Sequence, residues 1–332
     1  MTRSLVRYGS ALAAAAALAL TACGGSSTED AGSSASPSTE QSSSASFPLT
    51  FENADGTTTE IPAQPERIVS TAVTLTGSML SFDAPVIASG AAANGNFFAQ
   101  WADVATQHGV ETLWSAGSVD LEAVIAQDPD LIVVAASGAD STKDNISDLQ
   151  AIAPTIVVDY SDGTWEDTTL KLAEAAGLTD QAEVTIADFE AHVSDVAGQI
   201  TVPEGKANIV SYNGPGQNNP IGMTTGPHAQ LLSELGFTIE EPNAEWHAQE
   251  GGARSDFVFA SYENLTELTA ETTFILSQDN EGAQAFADDP VLANVPSVVN
   301  KQVYGLGKNS FRIDFYSATE IVDSILENFG NA

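Results

Sequence analysis

This chain of 332 residues has one cysteine, and its ten lysines and arginines stand against 45 aspartates and glutamates. The lone Cys23 excludes an internal disulfide, the usual staple of an exported protein. With a formal charge of −35, the chain has little with which to replace the condensed counterions of nucleic acid, and anionic membrane surfaces are equally poor partners. Long apolar runs are missing as well. No segment beyond the N-terminus approaches the roughly 20 apolar residues that a membrane-crossing helix needs. Four histidines, His108, His192, His228 and His247, show no ligand-like spacing, which disfavours a directly bound transition metal. Gly-x-Ser-x-Gly, Ser-x-x-Lys and His-Glu-x-x-His are all absent, which argues against a secreted hydrolase. Serine, histidine and aspartate without a motif do not define a triad. Neither a catalytic residue nor a protein-held metal or cofactor is expected.

The N-terminus is what remains unusual. Arg3 and Arg7 precede an apolar run over residues 11–20, too short to span a bilayer, which ends in Leu20-Thr21-Ala22-Cys23. This reads as a lipoprotein signal peptide over residues 1–22, with Cys23 as the site of lipidation and the membrane anchor. Residues 23–47 are almost wholly Gly, Ser, Ala, Thr and acids. Such a composition cannot bury enough apolar surface to fold, so the segment is expected to act as a disordered tether.

Beyond it, short runs rich in Val and Ile alternate with helical patterns. Strands are expected at 67–70, 86–89, 130–135 and 155–158, then at 207–212, 237–240, 273–276 and 302–306. That alternation predicts an α/β fold with mainly parallel sheets covered by helices, in two lobes. The halves also correspond internally. Leu121-Glu122-Ala123-Val124 leads to the strand beginning Asp130-Leu131, as Tyr262-Glu263-Asn264-Leu265 leads to Thr273-Phe274; Ile152-Ala153-Pro154-Thr155 matches Asn294-Val295-Pro296-Ser297. Between the halves, Ala182, Ile186, Phe189, Val193, Val196 and Ile200 fall on one helix face. Asp180 is the expected N-cap, and Gly198 with Pro203 the expected stop. The expected organisation is an N-terminal lobe over 48–179, a connecting helix over 180–201 and a C-terminal lobe over 202–332. An ordinary amphipathic helix within one lobe would show the same pattern.

Pro65-Glu66-Arg67-Ile68-Val69-Ser70-Thr71, Asp130-Leu131-Ile132-Val133, Ile152-Ala153-Pro154-Thr155 and Asn300-Lys301-Gln302-Val303-Tyr304 resemble the helical-backbone (class III) solute-binding proteins. These serve ABC importers of ferric siderophores, haem and cobalamin. The run from Thr74-Leu75-Thr76-Gly77 to Ala88-Ser89-Gly90, and Phe311-Arg312-Ile313-Asp314-Phe315-Tyr316, look closer to the ferric-enterobactin-binding members. The resemblance covers residues 51–326. It implies a monomeric, non-enzymatic protein anchored outside the cytoplasm, which takes a ferric catecholate siderophore into a cleft between lobes and delivers it to an ABC permease for iron uptake. Haem or cobalamin would suit the same fold. A haem protein would be expected to offer a Tyr or His axial ligand, for which Tyr212 and His247 are available. By position, Glu122 and Glu263 match the acids with which the family docks on its permease; placement at a helix start, where the dipole favours an acid, explains them equally well.

A ferric tris-catecholate is anionic and aromatic with no open coordination position, so such a ligand calls for cations and ring faces. Loops that follow strands in α/β sheets are where to look. Those of the second lobe hold Tyr212, Asn213, Trp246, Arg254, Lys308, Phe311 and Arg312. A guanidinium both stacks on rings and donates to oxygens, and Arg312 matches the family's Phe-Arg-hydrophobic-Asp motif. Pairing of Arg312 with Asp314 or Asp256, a solvated Arg254 and a structural Lys308 are the competing readings. In the first lobe, Trp101 and Trp114 are expected under the sheet, while Phe97 and Phe98 could line the cleft. The resemblance implies an arginine between Ala91 and Trp101, and there is no basic residue there.

Overall fold

The computed structural model describes residues 46–161, 163–248 and 256–331. The signal segment, Cys23, the tether to residue 45 and Arg254 therefore lie outside the described residues.

The first lobe opens with an antiparallel ribbon of β1 (Leu49–Glu52) and β2 (Thr58–Ile61), then runs β3 (Ile68–Ser70), α1 (Val73–Leu80), β4 (Val86–Ala91), α2 (Ala99–His108), β5 (Glu111–Ser115), α3 (Leu121–Ala126), β6 (Leu131–Ala135), α4 (Ile146–Gln150), β7 (Thr155–Val158) and α5 (Trp165–Ala176). The strands β5-β4-β3-β6-β7 form one sheet, and every pairing in it is parallel. Along β6 the side chains alternate between two cores. Leu131, Val133 and Ala135 join the cluster under α1 and α5, whereas Ile132 and Val134 join Trp114, Val124 and Leu149 on the other face. A strand covered on both faces has no polar side, which is why it reads as a continuous apolar run. The chain works outward from β3 through β4 to β5, then returns to the other side of β3 as β6 and β7. Between β3 and β6 lies a topological switch point, where α/β sheets open a crevice.

Helix α6 (Thr179–Ala197) joins the lobes, about 28 Å of helix at 1.5 Å per residue. Its apolar stripe is shared, since Ala182 belongs to the first-lobe core and Phe189, Val193, Val196 and Ile200 to the second. Asp180 is not its N-cap. Only Gly177, left-handed at φ 67°, and Leu178 separate α5 from α6. The helix is under way by Thr179, so Asp180 falls inside the first turn and serves the dipole from there.

The second lobe follows as β8 (Ala207–Val210), β9 (Asn219–Gly222), α7 (Pro227–Glu234), β10 (Phe257–Ala260), β11 (Thr272–Ile275), α8 (Asn280–Ala287), α9 (Pro296–Val299), β12 (Val303–Gly305) and α10 (Phe315–Phe329). Its order is β10-β9-β8-β11-β12. Here β8, β11 and β12 are parallel, while β9 runs antiparallel to both of its neighbours. The expected strand at 237–240 is absent. Beside β8, β9 takes the neighbouring position only at Val210, and residues 238–240 meet the remaining edge through a single bridge at Ala207. Phe237 and Ile239 are buried in the core regardless.

Two aromatic residues interlock the lobes. Trp165, from the first lobe, is packed in the second-lobe core, edge-on to Phe189 at 5.1 Å and 6.0 Å from Phe315. Tyr316, from α10, packs against the first-lobe core. The N-terminus of α10 thus makes a second joint besides α6. Among the described residues no helix is long and apolar enough to cross a membrane.

Candidate functional site

At the switch point, a cavity of about 380 Å³ opens between the lobes. The first lobe supplies Thr74 from the start of α1, Phe98 from the turn before α2, Gly138 from the loop after β6, and Tyr160 and Trp165 from the segment after β7. Facing them across the gap are His228 of α7, Asp256 and Phe257 at the entry of β10, and Phe311 and Arg312 of the loop before α10. Five aromatic rings therefore border the space. Phe257 and Phe311 are stacked at 5.6 Å with planes 7° apart, and Phe311 remains 39% exposed.

Among the described residues of this lining, Arg312 is the one lysine or arginine. Its guanidinium lies over the Phe98 ring, 5.0 Å from the centroid, and its Nη1 is 3.5 Å from the Thr74 hydroxyl oxygen. Both contacts cross from one lobe to the other. The neighbouring carboxylate is occupied elsewhere: Asp314 caps α10, accepting from the Ser317 amide at 2.9 Å and from Gln100 Nε2 of the first lobe at 3.0 Å. Burial raises its pKa above the usual carboxylate value, against the pull of those hydrogen bonds. Ser317 Oγ in turn donates to the Arg312 carbonyl at 2.6 Å, so the helix cap fixes the backbone from which the guanidinium projects.

On the first-lobe wall, Asp140 is the organising group. Its two oxygens accept from the Thr74 amide at 2.9 Å and from the Tyr160 hydroxyl at 3.3 Å. Burial, and then the Asp140 charge, push the Tyr160 phenol upward, which keeps it a neutral donor. Gly138 makes room for that hydroxyl. A Cβ there would stand 1.8 Å from Tyr160 Oη, and the residue has φ of +97°. His228 is fully buried; desolvation lowers it to about 4, and its Nε2 donates to the Ser310 carbonyl at 2.7 Å. It acts as a neutral prop for the Phe311 loop.

A second cavity, of about 290 Å³, adjoins the first along the lobe seam and holds Glu166, Glu190 and Glu234. Desolvation raises Glu166, with Glu234 and Asp167 adding to the effect; desolvation also raises Glu234, with Glu190 adding.

Of the residues expected in the cleft, Arg312 and Phe311 are there, and Phe98 lines it too. Tyr212, Asn213, Trp246 and Lys308 do not line it. Tyr212 donates to Asp289 at 2.5 Å, beside Tyr262 at 2.6 Å. Desolvation and then Asp289 raise the Tyr212 pKa, while the bond to Asp289 pushes Tyr262 up to about 12. Asn213 is spent within its own turn, bonding Asn219 and the Asn218 carbonyl. Trp246 packs with Tyr212 on a satellite core, and Lys308 is ion-paired to Asp279 at 2.7 Å. The physical reason lies in the antiparallel pair. Phe257 stands opposite Gly222 at the entry of β10, so the second lobe builds its wall where a strand begins, whereas Tyr212 and Asn213 lie beyond the end of β8. His247, the other candidate axial ligand, accepts the Phe259 amide at 3.3 Å through Nδ1. Thr74, Tyr160, Trp165, His228 and Phe257 were missed. For Tyr160 and Trp165 a signal existed, because they follow β7 directly.

Glu122 and Glu263 are both exposed, at the start of α3 and of the 3₁₀ turn Glu263–Glu267. Asp120 caps α3 by accepting from the Glu122 and Ala123 amides at 3.1 and 3.2 Å. The helix end is thus served without the Glu122 carboxylate.

Residues 98–310 match the periplasmic binding protein family. This chain belongs to it. The ferric enterobactin-binding periplasmic protein FepB of Escherichia coli is 38% identical over 290 residues, covering 85% of this chain and 91% of that protein. A probable siderophore-binding lipoprotein of Bacillus subtilis, YfiY, is 28% identical, over 76% of this chain and 77% of its own length. Among solved structures, holo-ViuP superposes with a TM-score of 0.81 at 52% identity, covering 86% of this chain and 96% of that one. The SirA protein of Staphylococcus aureus complexed with staphyloferrin B has a TM-score of 0.64 at 19% identity, covering 84% of this chain and 97% of its own, a likeness of fold alone. The chain is accordingly a two-lobed extracytoplasmic binding protein and not an enzyme. Among its described residues no group of three or more His, Cys, Asp or Glu is placed to hold a metal.

Proposed function

We propose that this protein captures a ferric siderophore of the catecholate, enterobactin-like type and delivers it to an ABC permease for iron uptake, as a monomer held at the cell membrane by a lipid on Cys23. One observation supports the ligand class above the others: Arg312 is stacked on Phe98 at 5.0 Å in a cleft bordered by five rings. Catecholate planes stack on such rings, and their oxygens accept from a guanidinium fork. Arg254, two residues before the cleft-lining Asp256 in the chain, is the second cation of this reading. The 38% identity to a ferric enterobactin-binding protein points the same way.

Delivery is assigned to Glu122 and Glu263, one exposed acid from each lobe at the same point of the internal repeat. Neither carboxylate has a hydrogen-bond or ion-pair partner among the described residues, which leaves both available to basic side chains of a permease. For haem the position is weaker, since Tyr212 and His247 are committed to Asp289 and to the Phe259 amide.

The test is a titration of the protein lacking its tether, followed by tryptophan fluorescence. Ferric enterobactin, a ferric hydroxamate, haem and cobalamin are compared. Saturable quenching by the catecholate at submicromolar concentration supports the reading; tight binding of haem, cobalamin or the hydroxamate with no catecholate binding overturns it.

A further inference from the structure

Asp314 accepts from one donor of the other lobe, and a second donor stands beside it unused. Gln100 Nε2 bonds its Oδ2 at 3.0 Å. The next residue, Trp101, is fully buried, and its indole Nε1 has no hydrogen-bond partner. Nε1 and Asp314 Oδ2 flank the point that a Gly77 Cβ would occupy, 2.6 Å and 3.3 Å from it. A side chain at position 77 would collide with the indole, so glycine in α1 is what lets the two groups approach. A buried indole N–H ordinarily finds an acceptor, and a carboxylate held by Gln100 has to turn before it can accept from a second donor that does not reach it in this arrangement.

Both ends of this cluster connect to the cleft. Trp101 stands edge-on to Phe98, 6.1 Å away at 71°, and Phe98 is the ring beneath Arg312. Asp314 caps α10 through Ser317, whose hydroxyl holds the Arg312 carbonyl. A ligand that contacts Phe98 and Arg312 therefore presses on both sides of the Asp314 contact.

We propose that Asp314 is a two-position latch between the lobes. Gln100 holds it in the arrangement seen here, Trp101 Nε1–H takes it in a second arrangement, and ligand contact at Arg312 and Phe98 selects the second. Gln100 and Trp101 are thus positioning residues for Arg312. The inference rests on the siderophore reading only for the identity of the ligand that throws the latch.

In ¹⁵N-labelled protein, the Trp101 indole resonance is identified by its loss in Trp101→Phe. Gln100→Ala removes the competing donor, and the expected result, with no ligand added, is a downfield shift of the Trp101 indole proton as Asp314 turns to it. Gallium(III) enterobactin, a diamagnetic counterpart of the iron chelate, is expected to move the same resonance in the same direction in the unaltered protein. Trp101→Phe should weaken chelate binding about threefold to tenfold, the worth of one net hydrogen bond, and should also lower the melting temperature of the protein alone, because Trp101 is fully buried and the smaller ring leaves a cavity. An indole proton unmoved by Gln100→Ala would overturn the latch, as would a Trp101→Phe protein that melts lower yet binds as before. If gallium(III) enterobactin does not bind the unaltered protein, the siderophore reading fails, and the Gln100→Ala shift still decides the latch.

Discussion

Replacing Arg312 by alanine removes one guanidinium from the cleft while touching little of what holds the loop. The α10 cap uses the Arg312 carbonyl, not its side chain, so folding should survive. The loss can be sized from the contacts a catecholate would make with the guanidinium, one ring stacked on it and one oxygen accepting from it. Stacking of a guanidinium on a ring contributes about 0.5–1 kcal/mol at an exposed site, and a hydrogen bond to a charged oxygen about 1.5–3 kcal/mol. Together they amount to about 2–4 kcal/mol, or a weakening of about 30- to 700-fold at 1.4 kcal/mol per tenfold. Arg312 is exposed, and solvent screens such pairs, so the lower end, about 30-fold, is expected. The assay is quenching of tryptophan fluorescence by ferric enterobactin at two salt concentrations, with melting temperature as the control. Arg312→Lys keeps the charge but loses the planar fork, and should recover only part of the affinity. Affinity within about threefold of the unaltered protein would refute the assignment. So would a loss matched by an equal fall in thermal stability, because Arg312 would then be structural.

Glu122→Ala combined with Glu263→Ala should leave chelate affinity unchanged and abolish uptake by whole cells; normal transport by the double variant removes the docking role. Gly138→Ala should place a Cβ against Tyr160 Oη and strain a backbone at φ +97°. A stability loss of about 1–3 kcal/mol is expected, seen as a lower melting temperature, together with weaker binding as Tyr160 leaves the wall. The seam glutamates set a pH dependence. Glu166 and Glu234 both have folded-state pKa values raised above the model-compound 4.5, so protonation favours the fold. Their stabilising contribution is complete below that value and is lost as pH rises through the raised values. Glu234→Gln should therefore raise the melting temperature near neutral pH, do little at about pH 4.5, and flatten the slope between. An unchanged slope would show that the seam is already solvated.

The first lobe was largely legible because a parallel sheet covered on both faces leaves continuous Val and Ile runs, such as Leu131–Ala135 in β6. Edge and antiparallel strands leave no such trace. In the edge strand β5 every residue but Trp114 is partly or fully exposed, and β9 reads Asn-Pro-Ile-Gly, its Asn219 buried for the bonds its side chain makes to the 213–217 turn. The stripe on α6 was visible at its full spacing, yet nothing in the spacing assigned Ala182 to one core and Phe189 to another. That division depends on which sheet each turn of the helix meets.

The site shows the same limit. Arg312 could be read from its motif, but its partners could not, because Thr74 and Phe98 are more than 200 positions away in the chain and meet it only when α10 is docked on the first lobe. Tyr212 and Trp246 carried the right chemistry for a ring-lined cleft and lost it to packing: a hydroxyl bound to Asp289 and a ring pressed on a satellite core have nothing left to offer a ligand. Trp165 shows the converse. It borders the cavity and at the same time fills the opposite lobe's core against Phe189 and Phe315. Swinging the lobes apart would pull that ring out of the core, at a cost of about 3–5 kcal/mol if it compares with truncating a buried tryptophan. Capture in this protein therefore has to work by small shifts of loops and side chains around a nearly fixed gap, and the loop that carries Arg312 into α10 is where such a shift changes the most contacts.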